Sequence, residues 1–427
     1  MSSPEIGEYE ERRETDRLRE KLQREKGDEF VVDNRIAALA EQYYPYVRDL
    51  RHEFHRYPEL SWKEFRTSAR IVEELEKMGV PCEAHCGNET NVAAYLRGTG
   101  PGAGRTIMLR ADMDALPIQE ESSHELCSEN PGVMHACAHD GHVAGMLGAV
   151  RILKDLSDQY AGTIKVIFEA GEEDGGGAND FIRMGLLDDV EALFGCHLFG
   201  TVKEGRAALR VGNFMSASDA IWITIRGLSG HSSTPHLAID PVNIAAQLIT
   251  DAQAVVARLV PPTEIAVLGF STIHGGTAFN TIPGEVKLSG SLRCFNEETR
   301  QRIHTGLEGL LKGLTEAYGA SYELRYSNSM PAVINDERLT KFAAKSAAKV
   351  LGEDHVDMLR DPQMGSETFA YYCDKVPSCF YYIGIDADNR MPEGHNLHHN
   401  SSFCWRDENL RLSMECMAQI ALDYMTQ

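Results

Sequence analysis

Residues 134–142 read Met134-His135-Ala136-Cys137-Ala138-His139-Asp140-Gly141-His142. One thiol, three imidazoles and a carboxylate among small residues are the ligand chemistry of a transition-metal site. Because Cys137 and His139 are separated by one residue, an extended segment would direct both side chains toward a shared ion. The alternative is structural, since a single Cys is often a small buried hydrophobe and a single His a satisfied polar group.

Two adjacent glutamates form a second candidate cluster. Residues 166–168 read as an apolar strand, and Glu172 and Glu173 follow it before a glycine-rich turn. Neighbouring side chains can point apart, so one carboxylate would bind a cation while the other accepts a proton from water. The alternative is a solvated acidic turn. Further imidazoles stand at His197, inside an apolar run, and in the segment 395–399.

Five more motifs accompany these two clusters. They are His55-Arg56-Tyr57-Pro58-Glu59-Leu60, Arg110-Ala111-Asp112-Met113-Asp114-Ala115-Leu116-Pro117, Gly230-His231-Ser232-Ser233-Thr234-Pro235-His236, Gly275-Gly276-Thr277-Ala278-Phe279-Asn280-Thr281-Ile282-Pro283-Gly284 and Leu292-Arg293. With these motifs in this order, the chain resembles the bacterial and plant metallo-amidohydrolases. That family includes aminoacylases, hippurate hydrolases, auxin-conjugate hydrolases and related carboxypeptidases. The resemblance covers residues 50–425.

The resemblance implies a role for each matching residue. The ligands of one or two divalent ions (Mn²⁺, Zn²⁺, Co²⁺ or Ni²⁺) would be Cys137, His139, Glu173, His197 and His398. Glu172 would be the general base, and Asp114 would orient a ligand histidine. His231 would enter the active site of a partner subunit and stabilise the oxyanion, while Asn280 and Arg293 would hold the substrate carboxylate. On the residues alone, a turn-stabilising or surface role for these last three stays open.

Three positions depart from the family's pattern, and a fourth, Asp112, differs from sister families. Ala138 replaces the usual Gly between Cys and His, and it would be strained if that residue needs a positive φ. Thr368 replaces the acid of Gly-Ser-Glu-Asp-Phe, which changes the charge around the substrate or the metal site. Asp112 stands where sister families place a ligand histidine. His399 replaces a Ser after the last ligand, so two neighbouring histidines compete, and the preceding Leu favours His398.

Composition restricts the partners. With 64 acidic and 42 basic residues the formal charge is −22, which argues against nucleic acid and anionic membranes as partners. No apolar run reaches bilayer length and the charged N-terminus lacks a signal-peptide core, so a cytoplasmic location is expected. The ten scattered cysteines form no disulfide framework and are expected to remain thiols.

The length of 427 residues predicts more than one domain. Alternating helical and strand-like segments predict an α/β fold, and the resemblance implies a zinc-peptidase-like catalytic domain with a mixed central sheet, formed by residues 35–215 and 330–427. Strand formers and two helical segments predict an inserted α+β lid and dimerisation domain at 216–329. Residues 1–34 are a charged N-terminal extension, and a homodimer or higher homo-oligomer is expected.

The predicted function is metal-dependent hydrolysis of a C–N bond. The substrate would be an N-acyl amino acid or a similar small molecule with a carboxylate, attacked by metal-activated water with Glu172 as general base. One alternative is an aminohydrolase that deaminates an activated aromatic amino acid, similar to 5-nitroanthranilate aminohydrolase. Another is a non-catalytic metal-binding relative, although the retention of both Glu172 and Glu173 argues against it.

Overall fold

Helices and strands alternate along most of the chain in a computed structural model that describes residues 34–121, 126–386 and 397–427. The N-terminal extension expected at 1–34 lies outside the described residues, apart from the first helical residue at its end. The helices are α1 (Asn34–Arg56), α2 (Phe65–Lys77), α3 (His139–Asp155), α4 (Ala178–Arg183), α5 (Pro241–Leu259), α6 (Glu297–Tyr318), α7 (Glu337–Leu351), α8 (Ala370–Cys373) and α9 (Glu408–Met425).

The strands form one large and one smaller sheet, with two short pairs. They are β1 (Cys82–Ala84), β2 (Val92–Thr99), β3 (Thr106–Asp112), β4 (Ala161–Glu169), β5 (Ala192–Lys203), β6 (Ala207–Leu209), β7 (Gly212–Met215), β8 (Ala217–Arg226), β9 (Gly230–His231), β10 (Val267–Gly275), β11 (Thr281–Ile282), β12 (Glu285–Cys294), β13 (Ser321–Met330), β14 (Val333–Asn335), β15 (Val356–Met358) and β16 (Ser378–Asp386).

The large sheet has eight strands in the order β1-β2-β4-β3-β5-β16-β6-β15. Strands β4, β3, β5 and β16 run parallel, whereas β1 with β2 and β2 with β4 are antiparallel. The predicted mixed central sheet is therefore confirmed. Its register pairs Asp112 with Glu169 at the carboxyl ends of β3 and β4, the edge where open α/β sheets place their sites.

Burial on both faces explains why the central strands read as nearly continuous apolar runs. Helices α3 and α9 pack together over this sheet. Gly148 allows the close contact, because a Cβ there would lie 2.7 Å from Met414 Sδ and 2.8 Å from Val47 Cγ2. A larger residue at Gly148 would therefore require the Met414 and Val47 side chains to shift, in the packing of the helix that begins at the predicted metal cluster.

The second sheet is antiparallel, in the order β10-β12-β8-β13, and helices α5 and α6 cover one face. Ile221, Ile223 and Ile225 are buried while the intervening Trp222 is exposed, which is the alternation of a sheet with one solvated face. Both helices match the sequence prediction, but the largely polar β13 was missed. The lid boundaries at 216–329 stay a prediction.

The described residues bear on the expectations for the cysteines and for membrane-spanning segments. All ten cysteines are free thiols, in agreement with the absence of a disulfide pattern. Among the helices in the described ranges, none combines the length and apolar character needed to cross a bilayer.

Candidate metal centre

The first ligand segment is a turn leading into a helix rather than the extended segment expected from the sequence. Cys137 lies in the turn, Ala138 has φ 66° and ψ 17°, and His139 begins α3. The extended conformation expected for this segment is therefore wrong, because a left-handed residue separates Cys137 from His139. This conformation costs an L-residue about 1–2 kcal/mol relative to right-handed backbone.

Two buried histidines are held so that one ring nitrogen remains available. His139 Nδ1 lies 2.9 Å from the Asp114 carbonyl oxygen and 3.3 Å from its carboxylate. His197 Nδ1 donates to the Leu198 carbonyl at 2.9 Å, and its Nε2 lies 3.4 Å from Cys137 Sγ. Because carbonyl oxygens only accept, each Nδ1 carries a proton, which leaves each Nε2 as the ring atom that could bind an ion.

Both C-terminal histidines reach the same cluster. His398 Nε2 accepts a 2.9 Å hydrogen bond from the Gly200 N–H, which leaves Nδ1 as its second possible donor atom. His399 Nε2 lies 3.2 Å from Glu173 Oε1, although its side chain is 52% exposed. The choice between the two histidines, resolved in favour of His398 at the sequence level, stays a prediction.

The predicted ligands converge in overlapping groups whose donor atoms lie within 4.8 Å of one another. Cys137, His197 and His398 form one group, and His139, Glu172 and Glu173 form another. Two further groups join these through shared members and add His142 and His399. The structure therefore brings all five predicted ligands together with the predicted base.

His142 was missed at the sequence level, although its position one helical turn after His139 was the available signal. Its Nδ1 lies 2.6 Å from Asp112 Oδ1, and its Nε2 accepts from the Leu198 N–H at 2.9 Å. Both ring nitrogens are therefore engaged with protein groups. This arrangement places His142 beside the ligands and makes Asp112, whose role was open, the partner of two imidazoles.

The donor set fits a divalent cation. Among the described residues, His139 Nε2 and His398 Nδ1 are buried nitrogens without a hydrogen-bond partner, and buried Glu173 Oε1 accepts no hydrogen bond although His399 Nε2 lies 3.2 Å away. Burial opposes a charged imidazole, but the carboxylates of Asp112, Asp114 and Glu173 outweigh it and raise the pKa of His139 to about 10. A cation is thus favoured at this position, and a divalent ion would satisfy the unpartnered nitrogen and oxygen atoms.

Glu172 and Asp114 occupy different electrostatic environments. Glu172 accepts a 3.1 Å hydrogen bond from the Thr368 N–H, and burial together with Glu367 and Glu173 raises its pKa well above the ordinary value. For Asp114, hydrogen bonds from His139, Ser61 and the Glu173 N–H outweigh burial and lower the pKa. Glu172 therefore holds a proton more tightly than an ordinary glutamate once it has accepted one, whereas Asp114 remains a carboxylate that can orient a ligand.

A buried cation beneath the centre was also missed. Arg110 contacts Glu169 at 2.8 Å, Asp112 at 2.6 Å and Glu367 at 2.9 Å, and its exposed fraction is 1%. Thr368 accepts from this guanidinium and donates to Glu169 at 2.7 Å. An acid in place of Thr368 would add a carboxylate where three already surround one Arg. In the sequence, the signal for this buried cation was an Arg within an otherwise apolar strand.

The lid residues divide into two groups. His231 is exposed and its ring accepts a 3.1 Å hydrogen bond from the Ser233 N–H, while Asn280 is exposed on the adjacent loop. Within the described part of this single chain, no hydrogen bond or ion pair links either residue to the predicted ligands. Arg293 is partly buried and donates to Ser366 at 2.7 Å, in the segment that continues into the Glu172 contact.

Known proteins are similar to this chain in sequence and architecture. The sequence-family model of peptidase family M20/M25/M40 matches residues 108–423. The N-acyl-L-amino acid amidohydrolase of Geobacillus stearothermophilus is 42% identical over 71% of this chain and 82% of its own length. Thermostable carboxypeptidase 1 of Saccharolobus solfataricus is 34% identical over 89% of this chain and 95% of its own length.

A solved structure agrees with these relatives. The Bacillus subtilis YXEP protein, described as a dinuclear metal binding peptidase of the M20 family, superposes with a TM-score of 0.76. It is 28% identical, and the alignment covers 90% of this chain and 99% of that protein. The chain therefore belongs to the M20/M25/M40 peptidase family and is a metal-dependent hydrolase of the amidohydrolase and peptidase type.

Proposed function

We propose that the protein hydrolyses the amide bond of N-acyl amino acids or similar small molecules that carry a carboxylate. The observation that carries this proposal is the position of Arg293, a cation that reaches from the lid sheet to Ser366, two residues before the backbone N–H that contacts Glu172. A carboxylate bound at Arg293 would leave the rest of the substrate directed toward the base. The relatives named as amidohydrolase and carboxypeptidase act on compatible substrates.

The ligand set of this proposal is Cys137, His139, Glu173, His197 and His398. When bound there, one or two divalent ions would polarise the scissile carbonyl and lower the pKa of water. Mn²⁺, Zn²⁺, Co²⁺ and Ni²⁺ all accept this mixture of sulfur, nitrogen and oxygen donors. Asp114 keeps the His139 ring oriented, and backbone contacts at Leu198 and Gly200 orient the rings of His197 and His398.

Glu172 is the proposed general base. It would accept the proton of the attacking water and deliver it to the departing nitrogen. Its environment suits this transfer, because burial and the neighbouring acids raise its pKa and allow the side chain to retain a proton between the two steps. The Thr368 N–H fixes one carboxylate oxygen, so the second is the one directed to the reaction.

His231 and Asn280 are proposed to act on the active site of a second subunit. His231 lies in β9, Asn280 directly precedes β11, and both side chains are exposed. Within the described residues of one chain, neither side chain contacts the proposed metal ligands, which supports this arrangement. A homodimer would thus complete each site with an oxyanion donor and a carboxylate contact.

A substrate panel and a Glu172→Gln variant test the proposal. N-acyl amino acids and aminobenzoates are assayed with each of the four ions. We expect release of an acid and an amino acid, and a loss of turnover on the order of a hundredfold or more in Glu172→Gln with metal content retained. The control is Glu415→Gln, another buried acid with a pKa raised by burial, which lies on α9 and pairs with Arg411.

Three results would contradict parts of the proposal. Near-normal turnover in Glu172→Gln would remove this residue as the base. Ammonia released from aminobenzoates, without an acid product, would favour the aromatic aminohydrolase. Stable metal binding without turnover of any compound would favour the non-catalytic alternative.

A further inference from the structure

We propose that Glu64 is a positioning residue that holds the Glu172–Glu173 turn through the backbone of Gly171. This inference rests on the proposed function, because the turn carries the proposed base and a proposed ligand. It concerns the segment Ser61–Glu64, which the sequence analysis left without a role. Three side chains of this segment contact the acidic turn or its partner Asp114.

Glu64 is fully buried, and both its carboxylate oxygens are engaged. Oε1 accepts hydrogen bonds from the Gly171 N–H at 2.8 Å and from the Trp62 N–H at 2.9 Å. Oε2 accepts from the Thr90 hydroxyl at 2.9 Å. The carboxylate thus fixes the first residue of the turn from a helix N-terminus that lies 107 residues earlier in the chain.

Trp62 covers the same residue. A Cβ on Gly171 would lie 2.7 Å from the indole ring, so the ring occupies the space that only a glycine leaves open. The indole N–H donates to Asp174 at 3.0 Å, at the far end of the same turn. Trp62 adopts φ 66°, a rare backbone conformation for a bulky residue that is concentrated at functional sites.

Ser61 completes the contact on the other side. Its hydroxyl donates to Asp114 Oδ2 at 2.6 Å, and the same oxygen accepts from the Glu173 N–H at 3.0 Å. The two backbone N–H groups that flank Glu172 are therefore each held by a carboxylate, Gly171 by Glu64 and Glu173 by Asp114. Such fixing is needed, because three successive acids at residues 172–174 repel one another and would otherwise separate.

The test uses Glu64→Ala in the full-length, metal-loaded protein. A displaced base would lower kcat on the order of a hundredfold while leaving KM nearly unchanged. Hydrogen exchange of the peptide covering residues 170–177 should become faster. Glu64→Gln should restore most of both properties, since its amide oxygen accepts the same two N–H groups and its amide nitrogen can donate to Thr90.

Glu74→Ala is the matched control. Glu74 is buried on the same helix and is bonded to Tyr46 and Arg70, away from the acidic turn. We expect it to lower Tm without changing kcat per folded protein or exchange at 170–177. If Glu64→Ala does not fold, Trp62→Phe keeps a six-membered aromatic ring at this position, removes the indole N–H together with part of the ring that covers Gly171, and should still accelerate that exchange.

Unchanged exchange at 170–177 in the folded Glu64 or Trp62 variant would overturn the inference. Equal losses of kcat in Glu64→Ala and Glu74→Ala would overturn it as well, because the effect would then be general destabilisation. Failure of the proposed function is a separate result: the unaltered protein would hydrolyse no amide in the panel, while the exchange difference would still report the contact with Gly171.

Discussion

The stability of this protein should depend on pH through Glu64, and Glu64→Gln should remove that dependence. Burial, followed by repulsion from Asp114, raises the pKa of Glu64 from its ordinary 4.5 to about 7. Each unit of pKa difference corresponds to about 1.4 kcal/mol, so the full difference is about 3 kcal/mol. The folded state binds this proton more tightly, so the stabilisation is complete below pH 4.5 and is lost as pH rises through about 7.

Urea unfolding of the chelator-treated proteins, followed by circular dichroism from pH 5 to 8, measures this effect. The free energy of unfolding of the unaltered protein should fall by about 2–3 kcal/mol relative to Glu64→Gln across this range. Glu74→Gln is the control: hydrogen bonds from Tyr46, Arg70 and Lys77 outweigh burial and lower the pKa of Glu74, so its titration lies below the range. A constant difference between Glu64→Gln and the unaltered protein would refute the reasoning.

Three further predictions concern the candidate metal centre and the lid. His398→Ala should lose bound metal and turnover while His399→Ala keeps both, as measured by elemental analysis and rate, and the reverse result would assign the ligand to His399. Ala138→Gly should keep turnover and change the free energy of unfolding by no more than about 1 kcal/mol, since relief of left-handed strain offsets loss of a buried methyl group. Mixing inactive Glu172→Gln and His231→Ala chains should restore part of the activity through mixed dimers, and confirmed mixed dimers without activity would place His231 outside the partner's site.

The sequence alone determined the family and the mixed α/β sheet, and it predicted the chemical types of the proposed ligands. The ordered motifs carry the resemblance to the family, and sulfur, imidazole and carboxylate donors are the side-chain groups that bind transition-metal ions. Helix α6 was equally accessible, since its ends are local signals: Asn296 caps the first turn and Gly319 ends the helix in a left-handed conformation. Where a structural feature is set by interactions within a few residues, spacing and residue type were sufficient to predict it.

Only the tertiary structure decided the details that depend on partners distant in sequence. The alternation of Cys137 and His139 predicted an extended segment, whereas the backbone of Ala138 is left-handed, a conformation that an alanine does not by itself predict. The carboxylates around Arg110 and the contact of Glu64 with Gly171 join different strands and loops. Hydrophobic periodicity reports which face of an element is buried, whereas strand order and register determine which polar groups meet there.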